Sequence, residues 1–512
     1  MDWWLGWFAW FDWPPTPGNL GVELLVLLDL AFRVVAASVV SNNRRPSSAV
    51  AWLLAIFFIP FLGLFAFILI GSPKLPRRRR NKQRRVSEVI LQRTADMDTQ
   101  GPDSAPPWLE PLARMNRRLG AMPMVAGSDA TVETDYVRSL EMMAEEIDLA
   151  REYVHAEFYI LSLDETTTPV FAALERAVAR GVEVRVLFDH LASLRIPGYR
   201  RTIKRLDAIG AQWARMLPFT PFKREILRPD LRNHRKLLII DGAVGYIGSQ
   251  NLIDARYGKR RNRRLGREWI DIMARFTGPV VLELDAVFRT DWYSETDELL
   301  DVGSTQGLPE VRATGDLYAQ CVPSGPGFEA ENNLKLFNAL IYNALHSVRM
   351  ISPYFVPDES LLMAVTTAAQ QGLKVELFVS EQGDQFLVHH AQRSYYEILL
   401  DAGVEIWMYP QPYVLHAKTL TVDGQTSVIG SSNLDMRSFT LNLEVSALVE
   451  GREFAQDLEA FEDQLRSRSR RLDLAEWRRR PWHEQVADGF CRLTSALSRP
   501  AVCPFAACPS PS

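Results

Sequence analysis

HRKLLIIDGAVGYIGSQN, residues 234–251, has a second copy in the same chain: HAKTLTVDGQTSVIGSSN, residues 416–433. His, Lys and Asp, then Gly, Ser and Asn, keep their spacing at one offset, 182 residues from His234 to His416. The chain has eight histidines, so chance placement of two in one eighteen-residue pattern is a poor explanation; this is an internal repeat. In each copy His and Lys are two apart, which on a strand puts both on one face. Apolar residues follow and end in Asp-Gly, and a second apolar run leads to Ser and Asn, so each copy is predicted to be a β-hairpin. One copy offers an imidazole and a cation. Two copies offer a nucleophile, a separate acid and two cations, the equipment for displacement at a phosphodiester. Two ordinary hairpins with polar ends are the bland alternative, and the matched spacing argues against it.

The signature His-x-Lys-x4-Asp followed by Gly-Ser-x-Asn resembles that of the phospholipase D superfamily, and both copies are intact. YFVPDES (354–360), LHAKTLTVDG (415–424) and SSNLDMRSFTLNLE (431–444) narrow the resemblance to bacterial cardiolipin synthases. The stretch after the first Gly-Ser-x-Asn, NLIDARYGKRRNRRLGREW, departs from that family by being more basic. The resemblance implies two α/β sandwich halves related by a pseudo-twofold that brings the hairpins face to face.

Hydrophobic content of 47% and a net charge of −4 describe folded protein, and the length of 512 residues suggests three or four units. Cys321, Cys491, Cys503 and Cys508 show no metal-ligand spacing, and no metal or cofactor is expected. Residues 1–18 carry clustered Trp without Lys or Arg and read as an interfacial segment. Within 19–72, LGVELLVLLDLAFRVVAASVV (20–40) and the uncharged AVAWLLAIFFIPFLGLFAFILIG (49–71) each have the length of a membrane span, with a kink expected at Pro60. Together they predict an N-terminal transmembrane helical hairpin. Arg77 to Arg80, Lys82, Arg84 and Arg85 follow the second span, which by the positive-inside rule puts the catalytic part in the cytoplasm of a multi-pass inner-membrane protein. The same run suits anionic headgroups.

A basic stretch and linker is expected over 73–125, a first phospholipase D-like domain over 126–300, a second over 310–465 and a basic tail over 466–512, where RRRPWHEQVADGFCRLTSAL reads as an amphipathic helix at a membrane. Strand and helix alternate in both halves, which predicts an α/β class with mixed sheets. Each hairpin is followed by a predicted strand holding an acid, Asp271 and Glu444, seven residues before Gly278 and Gly451. A carboxylate accepting from one imidazole nitrogen would fix its tautomer, so these acids are candidates to orient the histidines.

The candidate catalytic set is therefore His234, Lys236, Asp241, His416, Lys418 and Asp423, with the two aspartates read as holding strand ends or countering local cations. Ser249, Asn251, Ser431 and Asn433 are candidates for phosphate binding or support. One His attacks phosphorus and the other serves as acid and base; His234 is favoured as nucleophile, with the reverse open. The resemblance implies two phosphatidylglycerol molecules as substrates, glycerol as leaving group and cardiolipin as product, with no nucleic-acid partner. A hydrolytic phospholipase D with water as acceptor and a non-catalytic membrane scaffold are the alternatives. The basic run 256–267 is either a solvated loop or a rim that meets anionic lipid.

Overall fold

The structure, a computed structural model, describes residues 27, 31, 34–40, 46–71, 75–95, 101–102, 104–219, 228, 230–300, 312–328 and 331–495. The chain divides into two compact units, 1–72 and 73–512. The Trp-rich segment and most of the first apolar stretch lie outside the described residues.

In the first unit the uncharged stretch is not one helix. It forms Pro46–Phe58 and Pro60–Ile70, broken at Ile59 (φ −134°, ψ 69°). Proline cannot donate its amide and disfavours helical geometry in the residue before it, which locates the break where Pro60 predicts a kink. The two pieces then fold back on each other: the Trp52 and Phe67 rings meet edge to face, centroids 5.5 Å apart. At 13 and 11 residues the pieces are about 20 and 16 Å long. Among the described residues no helix is long and apolar enough to cross a membrane.

The second unit is built on strands β1 Val125–Glu133, β2 Tyr153–Phe158, β3 Glu183–Asp189, β4 Gln212–Met216, β5 Arg232–Asn233, β6 Lys236–Ile240, β7 Val244–Gly248, β8 Trp269–Ile270 and β9 Met273–Thr277. They continue with β10 Leu317–Ser324, β11 Ser347–Ile351, β12 Phe355–Val356, β13 Lys374–Ser380, β14 Glu405–Tyr409, β15 Val414–Leu415, β16 Thr419–Val422, β17 Thr426–Gly430, β18 Leu434–Asp435, β19 Asn442–Glu450 and β20 Arg470–Arg471. The first half orders its strands β4-β3-β2-β6-β7-β9-β1, and the second β14-β13-β11-β16-β17-β19-β10. Each position in one half has a counterpart in the other, with the same parallel or antiparallel sense. The halves join through β1 and β10, antiparallel, with Val125 opposite Ala319. The repeat seen in eighteen residues is thus the repeat of a whole mixed sheet.

The apolar run KLLII explains its own position, since a strand covered on both faces needs no polar alternation. Leu238 and Ile240 face helices Tyr136–Leu149, Thr168–Ala179 and Tyr199–Ile209 through one buried cluster. Leu237 and Ile239 face a second cluster, which also holds Val287 and Phe288 of helix Val280–Thr296 and Leu458 and Phe461 of helix Arg452–Arg468. Residues of both halves share that second cluster, so the layer between them is common core.

Three expectations need correction. The stretch 73–125 is more than a basic linker: it contains helix Arg77–Arg93, helix Leu109–Gly120 and the start of β1, one of the two strands that join the halves. The run Arg77 to Arg85, expected to suit anionic headgroups, is partly engaged within the protein: Arg79 pairs with Glu295, Lys82 Nζ lies 2.7 Å from Asp297, and Lys82 also donates to the Tyr293 carbonyl (2.7 Å). These acids cluster at the end of helix Val280–Thr296, so part of the cationic run is committed to holding its own helix. Finally, the tail up to Ser495 is folded; Leu472, Trp477 and Cys491 are buried in the core of the second half.

Candidate active site

Both catalytic hairpins turn at Asp-Gly with left-handed backbone: φ is +53° at Asp241 and Asp423, +64° at Gly242 and +62° at Gly424. The Asp241 carboxylate accepts from the backbone N–H of Arg151, Glu152 and Tyr153 (2.8–2.9 Å), and Asp423 accepts from Leu345, His346 and Ser347 (2.7–2.8 Å). Each aspartate therefore ties its hairpin turn to the start of β2 or β11. A five-residue strand separates Asp241 from Lys236, roughly 16 Å, so the aspartates are placed outside the reacting centre and do not act on substrate.

At the opposite end the halves exchange strands. β5 runs parallel to β19, pairing Asn233 with Leu443, and β15 runs parallel to β8, pairing Leu415 with Ile270. The pairing continues into the histidines: His234 N donates to the Leu443 carbonyl and His416 N to the Ile270 carbonyl, both at 2.8 Å. Each imidazole is thereby delivered to an acid of the other half. His234 Nδ1 lies 2.9 and 3.0 Å from the two Glu444 oxygens, and His416 Nδ1 lies 2.6 Å from Asp271 Oδ1. An ionised carboxylate only accepts, so Nδ1 carries the proton in both rings and Nε2 presents a lone pair. Glu444 lies within β19, whereas Asp271 occupies the break between β8 and β9, not a strand interior.

The serines complete these pairs. Ser249 donates to Asp271 (2.6 Å) and accepts from Ile272 N; Ser431 donates to Glu444 (2.6 Å) and accepts from Val445 N. Their hydroxyl protons are committed, so they act through the acids and not as ligands of a phosphate. The preceding glycines make this possible: at Gly248 and Gly430 a Cβ would run into the Ile272 and Val445 carbonyls. Asn251 is equally engaged, with Oδ1 accepting from Ile160 N (3.1 Å) and Nδ2 donating to the Tyr257 hydroxyl (2.8 Å). Asn433 is buried beside β18, and its Oδ1 finds no hydrogen-bond partner among the described residues.

Lys236 and Lys418 are both buried, and each ammonium donates to the carbonyl of its own motif's histidine. Burial lowers the Lys236 pKa well below the ordinary range, with the Lys418 charge acting in the same direction. Burial brings Lys418 down to about 8. Burial also pushes His234 down to about 3 and lowers His416, with Asp271 acting in the opposite direction on His416. Glu444 and Asp271 are themselves opposed by burial yet stay below the usual carboxylate range, held by their histidines, the lysines and the serine hydroxyls.

A lysine whose folded pKa is depressed costs stability at every pH below that pKa, and the cost disappears as pH rises to the unfolded value. For Lys418 the full cost, roughly 3 kcal/mol, applies below about pH 8 and is relieved by pH 10.5. Lys418→Met is therefore expected to raise unfolding stability at neutral pH by roughly 1–3 kcal/mol while removing catalysis. Denaturant unfolding of the full chain checks this. The gain should shrink as pH approaches 10.5, and a variant less stable than the parent at neutral pH contradicts it.

Three further side chains escape sequence reasoning. Tyr159 sets its ring edge-on to His234 (4.9 Å) with Lys236 Nζ 5.3 Å from its centroid, and Tyr257 receives Asn251 while packing on Trp269. Asn442 also donates to Glu444 (3.1 Å). Comparing the two copies cannot find Tyr159 because Pro353 takes the corresponding place in the second half; an aromatic residue directly after a buried strand is the one local signal.

Comparison with known proteins agrees with this geometry. The family profile described as "Cardiolipin synthase, PLD-like domain" matches residues 143–292 and 337–465, more than half of the chain, and "Phospholipase_D-nuclease N-terminal" matches 30–72. The chain is 33% identical to cardiolipin synthase A of Proteus mirabilis over 481 residues, covering 92% of this chain and 96% of the relative. It is 32% identical to cardiolipin synthase of Geobacillus kaustophilus, covering 92% and 93%. Among solved structures, phosphatidylserine synthase of Haemophilus influenzae superposes with a TM-score of 0.57 at 14% identity, over 76% of this chain and 98% of that one, a likeness of fold. With two complete His-Lys-Asp hairpins facing each other across exchanged strands, and with that match running through both halves, the chain belongs to the phospholipase D-like cardiolipin synthase family.

Proposed function

We propose that the chain is a phosphatidyltransferase that converts two phosphatidylglycerol molecules into cardiolipin and glycerol. The observation that carries this is the pair of buried imidazoles, each oriented by an acid of the opposite half, with two buried lysines beside them.

A phosphodiester is an anion, so a nucleophile approaches it only where positive charge offsets the build-up at phosphorus. Lys236 and Lys418 supply that charge, and a bound diester would in turn relieve their mutual repulsion. His234, kept unprotonated with its pKa near 3, attacks phosphorus through Nε2. The phosphorus–oxygen bond to glycerol breaks as protonated His416 gives its proton to the leaving oxygen. The anionic diester favours that protonated form, and Asp271 supports it. His416, now neutral, removes the proton from the incoming headgroup hydroxyl of a second phosphatidylglycerol. That oxygen bonds to phosphorus, the phosphorus–nitrogen bond breaks, and His234 returns as it began. One diester replaces another, so no nucleotide is consumed.

The family resemblance and the two compact units support a division into a membrane-associated part, 1–72, and two catalytic halves over 126–300 and 310–465, with the folded tail added to the second. In this reading the N-terminal apolar segments form a helical hairpin in a bacterial plasma membrane and the catalytic unit works on its cytoplasmic face.

The test is purified protein in phosphatidylglycerol vesicles without nucleotide. Cardiolipin with equimolar glycerol is the expected result. Phosphatidic acid with glycerol would make water the acceptor and the enzyme a hydrolase; no turnover of any phospholipid would remove the catalytic reading.

A further inference from the structure

Helix Trp482–Ser495 holds partly buried ion pairs beside Cys491 on its inward face and an apolar stripe on its outward one: Glu484 pairs with Arg393 (2.5 Å), and Asp488, buried, pairs with His390 (2.7 Å) and Arg480 (2.5 Å). Its outward face carries Trp482, Val486, Phe490 and Leu493, spaced four, four and three apart so that they form one stripe. Trp482 is 75% exposed and Leu493 72%. The partner helix Phe386–Arg393 repeats the arrangement, with His390 and Arg393 turned toward the pairs and Phe386, 70% exposed, and Leu387 turned out. Contiguous apolar surface of this kind on a folded protein marks something it rests against.

Two features identify the occupant. Beside the patch, the segment 259–267 carries Lys259, Arg260, Arg261, Arg263 and Arg264, all exposed, without one acid. Arg267 at its end donates to Gln382 (3.3 Å), which places these cations next to the loop that leads into Phe386. The same loop reaches the catalytic centre. Gln385 donates to the Tyr354 hydroxyl (2.9 Å), Tyr354 donates to Asp384 (2.7 Å), and the adjoining β12 pairs with β18 directly after Asn433. Apolar side chains beside cations, on elements joined by a loop that leads to the catalytic centre, fit the surface of an anionic phospholipid leaflet, with the acyl region receiving the apolar stripe and the headgroups meeting the arginines.

We propose that the outward face of helices Phe386–Arg393 and Trp482–Ser495, flanked by the 259–264 cations, is the surface on which the catalytic unit rests against an anionic lipid leaflet. It rests on the lipid-substrate reading above and adds a membrane contact separate from residues 1–72.

The test compares two substrates on the full chain. One is long-chain phosphatidylglycerol in vesicles; the other is a short-chain phosphatidylglycerol held below its micelle concentration, which needs no docking. Val486→Asp with Phe490→Asp is expected to cut the vesicle rate by about tenfold or more while leaving the short-chain rate within about twofold. Val486→Leu with Phe490→Leu should keep both rates. Vesicle turnover unchanged in the aspartate variant overturns the proposal, and so does a parallel fall on both substrates, which would mean a structural role. Release of a stable dimer into monomers by the same substitutions would assign the face to a second copy of the chain. A parent enzyme inactive on both substrates would overturn the transferase reading, and this surface with it.

Discussion

His234→Ala is expected to abolish phosphatidyl transfer, by more than about 10⁴-fold, and to leave the enzyme unable to release the first glycerol. The size of the effect follows from the route. Without Nε2 of His234 there is no covalent intermediate, and one lipid's hydroxyl would have to attack another lipid's diester directly, with both anionic headgroups in the site at once. The substitution removes a buried neutral ring hydrogen-bonded to Glu444, so the fold should survive; retention of cooperative unfolding is the control. His416→Ala is expected to be as inactive on phosphatidylglycerol, whose glycerol oxygen needs a proton to leave, but for a different reason. With a diester bearing an acidic leaving alcohol, the His416 variant should recover a single turnover of adduct formation and the His234 variant should not. Recovery in the His234 variant would reverse the two roles.

The second large effect concerns the acids, and its direction is set by the exchange between halves. Glu444→Gln and Asp271→Asn are each expected to lower turnover by about 10²–10⁴-fold, because an amide in place of the carboxylate no longer fixes the Nδ1–H tautomer or supports ring charge. Glu444 serves His234, and Asp271 serves His416. Glu444→Gln should therefore resemble the loss of His234, with slow adduct formation even from an activated leaving group. Asp271→Asn should resemble the loss of His416 and improve with such a group. The opposite assignment, each acid serving the histidine of its own half, predicts the reverse pattern. A merely structural role would move both substrates alike.

That exchange shows where sequence reading stops. His234, Lys236, His416 and Lys418 are legible because an eighteen-residue pattern recurs with every chemical group kept, and alternation on a strand tells which face they share. The two acids are legible as positions counted back from Gly278 and Gly451. Which acid meets which histidine is not, because it depends on β5 lying on β19 and β15 on β8, contacts of two residues each between distant segments. The pattern leaves open whether the serines bind phosphate or support the site; their hydrogen bonds to Asp271 and Glu444 depend on a close approach visible only in three dimensions. Asp241 and Asp423 carry no such ambiguity once their φ of +53° is known, for a left-handed turn residue accepting three backbone amides is fully occupied.

The fold shows the same division. Strand–helix alternation gives the α/β class, but β1 and β10 stand outside it, and their partner strands are far away in the chain. The uncharged stretch 49–71 satisfies every length criterion for a span, and Pro60 divides it into two pieces that pack on each other. Periodicity reports which face of a helix is apolar, but not what that face meets, and so helix Trp482–Ser495 reads as amphipathic long before its exposed side is known.

The account turns on a covalent phosphatidyl group on one histidine. The direct measurement is to mix the full chain with phosphatidylglycerol, quench within the first turnover under conditions that preserve a phosphorus–nitrogen bond, and map the adduct by peptide mass. The account predicts a phosphatidyl group on His234, absent from His234→Ala and accumulating in the parent when the acceptor lipid is depleted. An adduct on His416 would exchange the roles of the two halves, and cardiolipin formed with no adduct on either histidine would contradict the two-step mechanism.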